Sequence, residues 1–500
     1  MAVHSTEKVV KNTLLYTAAT VAQKAISFVY FFILSSNLAP EKLGAYTGML
    51  AVASLASIGM DLGLTPLLTR EAARDEEQAA SKLRAVYSIK IPLIFVTQIA
   101  LWLIAPILID LTKTETLLLL GASLIVSIDA FTAGSYAVLR ARQNIRVESK
   151  AILIFQSTVF VSGLIALLTT KNILFIMAAL VLGTSTNAFY TIRSARRILG
   201  EKIAPDFDRK RIKQTLPLMP AFASAGIFTK IYQQADVVLL RALAGAHSVG
   251  LYSIPAKVTT ALQTLIPGAM SAAIYPTMSN FAKTDRNRLQ TLFTSTFGIL
   301  YLLSLPIGIF LALLTPPILE LVWPRYAAIA PAMRIMLLTI PFLFLPYSTG
   351  SLLNALGLEK RNSVNRGVMT ALSVGLNLVL IPIFGVLGSA IAFILANALL
   401  LCLDIVGLRR QIRLWNSEMK RFILGSSFSA LTATILGLAL LNFSAAPERG
   451  IGVFSFGTLR LFAYVAFVFM ACASLYAATL LLTKTLSQTD AQAVKQIFKR

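Results

Sequence analysis

Leu243-Ala244-Gly245-Ala246-His247-Ser248-Val249-Gly250-Leu251-Tyr252 joins two long apolar runs, and Leu38-Ala39-Pro40-Glu41-Lys42-Leu43-Gly44-Ala45-Tyr46 does the same near the N-terminus. Each reads Leu-Ala, a short turn, then Gly-x-Tyr opening the next run. Gly44 and Gly250 lie 206 positions apart, and the same step carries Lys24 onto Lys230. If the one-residue difference in length lies in the loop, the match shifts to Thr229. A unit of six apolar runs used twice puts the first and seventh runs in equivalent positions.

Working outward from these turns, fourteen apolar stretches can be drawn: 13–35, 44–68, 87–109, 116–139, 151–169, 173–192, 216–239, 249–281, 290–314, 328–354, 364–383, 386–407, 422–441 and 457–482. Most are near the ~20 residues that cross a hydrocarbon core as a helix. With the N-terminus inside, 34 of the 45 Lys and Arg fall in inner segments, Lys90 among them. Seven fall outside: Lys42, Lys113, Lys171, Arg241, Arg325, Arg449 and, at a helix edge, Arg460. Basic residues in short loops set orientation, so this split predicts an all-α, multi-pass membrane protein with both termini cytoplasmic. The net charge of +23 is then a record of topology, and no nucleic-acid partner is expected.

A mean hydropathy of +0.75 with 13% charged residues excludes a soluble globular chain of this length. The longest polar connector, Arg193 to Gln214, predicts a basic cytoplasmic hinge between two six-helix lobes. No small-residue cleavage pattern follows the first run, so that run is expected to remain as an anchor. Cys402 and Cys472 both lie in apolar runs, which suits packing and neither a disulfide nor metal-ligand spacing.

Charges inside the bilayer are costly and point to cavities or partners. In the first run Thr13, Thr17, Thr20, Lys24 and Ser27 share one helical face, with Lys24 near the midplane. The bland reading is an ion pair; the functional one is a cation lining a substrate cavity. The seventh run carries Thr229, Lys230, Gln233, Gln234 and Asp236, a density that suggests water access. Asp236 has three readings: a pair with Lys230, a pair with Lys257, or a ligand for a coupling cation. Lys257 lies in the eighth run, which Pro255, Pro267 and Pro276 should kink. Arg334 is expected to reach the interface from the outer end of run ten. Asp404 reads best as a local pair with Arg409, Asp61 as structural, and Asp129 as a partner for Lys24. Asn377 and Asn397 read as interhelical hydrogen-bonding groups. Convergence of Lys24, Lys230 and Lys257 would attract a phosphate or pyrophosphate as mobile point charges. No P-loop, H-E-x-x-H or G-x-S-x-G is present, and the chain has only two histidines. Short loops poor in carboxylates argue against an enzyme.

Three stretches resemble the polysaccharide flippases of the multidrug/oligosaccharidyl-lipid/polysaccharide exporter superfamily. They are Asn37–Tyr46 with Asp61-Leu62-Gly63-Leu64 and Arg70-Glu71; Asp236-Val237-Val238-Leu239-Leu240 with Gly245, Val249-Gly250-Leu251-Tyr252 and Lys257; and Asn377-Leu378-Val379-Leu380-Ile381-Pro382 with Gly385-Val386-Leu387-Gly388-Ser389-Ala390-Ile391-Ala392. The resemblance implies two six-helix lobes, 1–192 and 216–407, joined by a linker at 193–215 and followed by two appended helices and a tail at 408–500. It implies alternating access that turns an undecaprenyl-pyrophosphate-linked oligosaccharide from the inner to the outer leaflet of a bacterial inner membrane, in cell-surface polysaccharide (exopolysaccharide or lipopolysaccharide) biosynthesis. A polysaccharide polymerase and a chain-length regulator are the protein partners it suggests.

On that likeness Lys24, Lys230, Lys257 and Arg334 are the substrate-binding candidates. Asp236, Gln233, Asn377, Asp129 and Asp61 are candidates for cavity polarity or for coupling to Na⁺ or H⁺, with no other cofactor expected. The chain departs from the related lipid II flippases in having Asp61 where they carry a basic residue in helix two, and in lacking an acid in the middle of helix eleven. Two rivals are a cation-coupled drug or lipid exporter of the same superfamily and a non-transporting scaffold of a glycan-assembly complex.

Overall fold

The computed structural model describes residues 2–201, 203–413, 416–443 and 456–485. Arg449 of the expected outer loop, Lys202 of the linker, and the tail charges Lys495, Lys499 and Arg500 lie outside the described residues, as do the side chains before Tyr16, including Thr13. The chain forms two compact units, Met1–Gly250 and Leu251–Arg500. Among the described residues every regular element is a helix.

The first unit holds α1 (Ala2–Asn37), α2 (Pro40–Asp61), α3 (Leu64–Arg74), α4 (Ala79–Leu108), α5 (Lys113–Ala141), α6 (Ile145–Thr169), α7 (Ile173–Leu199), α8 (Arg209–Thr215) and most of α9 (Met219–Gln263). The second contains α10 (Ala269–Thr284), α11 (Arg286–Leu313), α12 (Thr315–Val322), α13 (Ala330–Leu338), α14 (Ile340–Ala355), α15 (Glu359–Phe384), α16 (Val386–Leu408), α17 (Ser417–Phe443) and α18 (Phe456–Leu482).

Among the described residues thirteen segments are long and apolar enough to span a membrane, and one of them, Gly226–Thr284, is 59 residues long. At 1.5 Å per residue that segment would reach ~88 Å, far beyond a ~30 Å core, so it must hold two spans. The break is at Gly245, whose φ of 80° and ψ of 176° interrupt α9 at the turn that the sequence pattern marks. The apolar faces fit the same environment: Phe95, Val96, Ile99, Leu103, Ile104 and Ile107 make an exposed stripe along α4. A continuous stripe of this kind suits lipid contact and not water.

Three local readings are corrected. The stretch 44–68 is not one span, because Leu62 (φ 40°) and Gly63 (φ 82°) enter the left-handed region and split α2 from α3. A Cβ at Gly63 would also press on the backbone of Phe222 and Ala223, so glycine is required there twice over. Asp61 therefore ends α2. The polar connector is also shorter than Arg193–Gln214, since α7 runs on to Leu199 and α8 packs on α4. Finally, Cys472 is buried among Phe310, Leu314, Val468 and Tyr476, whereas Cys402 is exposed. Of the expected kinks in run eight, Pro267 sits in a π-helical turn, Thr264–Gly268, while Pro255 is accommodated inside α9.

The repeated turns meet each other. A Cβ on Gly44 would land on the Ala246 carbonyl, and a Cβ on Gly250 would land on the Pro40 carbonyl. Ala246 is 206 positions beyond Pro40, as Gly250 is beyond Gly44. The contact is thus reciprocal, like an isologous interface between two copies of one surface.

Candidate functional site

A cavity of about 840 Å³ opens in the first unit between α2, α3, α5 and α9. That volume falls in the ~300–1,000 Å³ range of small-molecule sites. Three helices each present a face spaced by three, four and seven residues: Ser54, Ser57, Ile58 and Asp61 on α2; Val126, Asp129, Ala130 and Ala133 on α5; and Gly226, Thr229, Lys230 and Gln233 on α9. Seven residues of helix rise ~10 Å, which sets the height of these faces. Four of the nine candidate residues, Asp61, Asp129, Lys230 and Gln233, thus come together.

Their charges are handled differently. Asp61 accepts from Lys90 Nζ at 2.7 Å and from the Thr65 hydroxyl. Lys90 also donates to Thr65 Oγ1 at 3.1 Å and to the Ala130 carbonyl at 2.8 Å. An ammonium has three protons, and here three acceptors on three helices take them. Lys90 is completely buried. Lys90 falls inside the apolar stretch 87–109, and its place in α4 corrects the charge tally that put it with the inner segments. The signal was present: Tyr87-Ser88-Ile89 precede it and Ile91-Pro92-Leu93-Ile94 follow, so apolar residues flank it on both sides.

Asp129 stands open to the cavity, and the cation close enough to attract it is Lys230, not Lys24 as expected. Among the described residues no ion-pair contact joins Asp129 and Lys230. Lys24 is exposed on α1, which packs on α6, and is not among the residues lining the cavity. Asp236 is buried in α9 at 6% exposure. In the second unit Lys257 is half-buried, and Arg334 is exposed on α13.

Elsewhere the polar groups bind helices together. Asn377 is fully buried, donates to the Ser373 carbonyl and accepts from Ser389 Oγ, both at 2.8 Å, which ties α15 to α16. Asp404 does not pair with Arg409. It is buried and accepts from Thr349 and Asn365 at 2.7 and 2.8 Å, because its position on α16 faces α14 and α15. Arg241, expected in an outer loop, lies in α9 at 7% exposure. It pairs with Glu115 at 2.5 Å and donates to the Asp110 carbonyl at 3.0 Å. Glu115 also closes a capping box with Thr112 at the start of α5.

The polysaccharide biosynthesis protein family model matches residues 9–282, and the MatE model matches residues 221–383. "Probable flippase AglR" of Haloferax volcanii is 30% identical over 172 residues, which are 34% of this chain and 36% of that protein. The chain therefore matches about a third of that relative's length. The solved structure "Lipid II flippase MurJ, inward closed conformation" superposes with a TM-score of 0.73 at 14% identity, covering 94% of this chain and all of that one. An inward-facing multidrug resistance MATE family transporter gives 0.63 at 16% identity, covering 78% of this chain and 93% of its own. At such identities the structural likeness speaks to the fold alone. None of these proteins is described as an enzyme. With one family model covering more than half of its residues, the chain belongs to the polysaccharide biosynthesis protein family, in the fold of the multidrug/oligosaccharidyl-lipid/polysaccharide exporter superfamily.

Proposed function

We propose that this protein is a flippase for a lipid-linked oligosaccharide, and that the cavity of the first unit receives the pyrophosphate end of that lipid on Lys230. The observation that carries this reading is Lys230 set in a largely apolar cavity whose lining also holds the Asp129 carboxylate. Lysine binds phosphate as a point charge without a rigid fork, which suits cargo that must be let go. Asp129 and the phosphate oxygens compete for one ammonium. Return of Lys230 to Asp129 then favours release, so neither open state need hold the cargo strongly. Thr229, Gln233, Ser54 and Ser57 supply hydroxyl and amide groups for phosphate oxygens or sugar hydroxyls. Because Lys90 already neutralises Asp61, Asp129 is the better candidate of the two for a coupling H⁺ or Na⁺.

The carrier is proposed to be undecaprenyl pyrophosphate and the membrane a bacterial inner membrane. Both termini would be cytoplasmic, as the loop charges indicate. A polymerase and a chain-length regulator are the expected downstream partners. Within the second unit, Lys257 and Arg334 are the candidate phosphate-binding cations. The test is mass spectrometry of polyprenyl-linked lipids from cells lacking the gene, with upstream glycosyltransferases intact. One intact pyrophosphate-linked oligosaccharide should accumulate, and wild type should clear it while Lys230→Ala, at equal membrane abundance, should not. No accumulation, or full rescue by Lys230→Ala, would sink the reading.

A further inference from the structure

Where the two repeated turns meet, Nδ1 of His247 lies 2.6 Å from Oε1 of Glu41, 206 positions away. The repeat offset makes these two residues equivalent positions, so a two-fold that exchanges Pro40 with Ala246 and Gly44 with Gly250 passes between them. The rest of the contact is backbone against backbone, made possible by the two glycines. The Arg241 side chain of α9 also lies against Gly48 of α2. Glu41 and His247 form an ionisable link across it, and at 61% and 53% side-chain exposure both groups meet solvent.

We propose that Glu41 and His247 form a proton-sensitive latch between α2 and α9 on the extracytoplasmic face. The proposal rests on the orientation and alternating access put forward above. Histidine changes charge between about pH 5 and 8. When the imidazole takes a proton from the outer solution, the contact becomes an ion pair; when it loses that proton, a neutral hydrogen bond remains. Arg241 of α9 and Glu115 of α5 neutralise each other at 2.5 Å, and Lys42 of α2, Lys171 of the α6–α7 turn and Asp110 before α5 line the adjoining pocket of about 910 Å³. Outside acid thus holds the end of the bundle shut, and rising outside pH frees it.

The test uses the full-length protein in intact cells with Cys402 and Cys472 replaced. Ala45, 9% exposed beside this contact, becomes the reporter as Ala45→Cys. Its labelling by a membrane-impermeant thiol reagent is divided, at each pH, by that of the exposed control Thr170→Cys. The ratio should rise from pH 5.5 to 8 by up to about fivefold, the upper end for an exposed ion pair. His247→Gln, which keeps a hydrogen bond without the charge, should be flat and high, as should Glu41→Gln. Gly44→Ala, whose Cβ meets the Ala246 carbonyl, should label strongly at every pH. A flat wild-type ratio, an unchanged rise in His247→Gln, or labelling only after permeabilisation would overturn the latch. No lipid substrate is used, so failure here is separate from failure of the flippase reading.

Discussion

Two acid–lysine pairs flank one cavity, and they are built in opposite ways. Asp61 and Lys90 are locked, since every ammonium proton has an acceptor on α2, α3 or α5 and no water reaches the lysine. Asp129 and Lys230 line the same cavity, and among the described residues no ion-pair contact joins them. A saturated buried charge can do little except hold helices, because any new partner must displace an existing bond. An unsaturated pair beside water can exchange partners. The lesson is that sign and depth of a membrane charge do not reveal its role; the count of acceptors around it does.

The largest test of that contrast is Lys90→Met, which strands Asp61. A cost of ~3 kcal/mol is expected, the lower end for breaking a buried pair because Asp61 keeps a third of its surface open. It should appear as a lowered thermal-unfolding midpoint in detergent. Adding Asp61→Leu should recover at least half of the loss. A drop below ~1 kcal/mol for the single change would mean the knot is not structural.

Asp129→Asn should leave that midpoint in place and tighten pyrophosphate binding by about three- to tenfold, since removing a competitor for the ammonium is worth ~1 kcal/mol. Calorimetry with inorganic pyrophosphate reads this directly, and weaker binding would reverse the assignment. Lys24→Ala, outside the cavity lining, should change the same affinity less than about twofold, within the scatter of distant sites. Equal losses in Lys24→Ala and Lys230→Ala would revive the convergence of both lysines that the repeat suggested. The smallest effect is expected for Ser389→Ala, which removes one hydrogen bond between α15 and α16 and should lower stability by ~0.6 kcal/mol.

Much of the architecture is legible in the amino-acid sequence. The fourteen runs correspond to thirteen spanning segments, one of them doubled at Gly245. The Gly44 and Gly250 turns were matched by pattern, and they proved to touch. Less of the site was legible. Asp61, Asp129, Lys230 and Gln233 stand out in the sequence and share a cavity, but which charges face each other does not, and Lys90 counts there as an inner-segment charge. Asp404 was paired with the arginine nearest in sequence, while its acceptors are filled by Thr349 and Asn365.

Amino-acid sequence alone determined the number of spans, the charge bias between loops and the internal repeat, because each depends on transfer of a short segment from water to lipid and on local turns. Tertiary structure decided which charges meet. Each helical residue turns its side chain by ~100°, so facing groups depend on how each helix is rotated and where it starts. Lys90 illustrates both: with α4 beginning at Ala79, it lies a dozen residues inside the helix, turned to where α2, α3 and α5 offer it three oxygens.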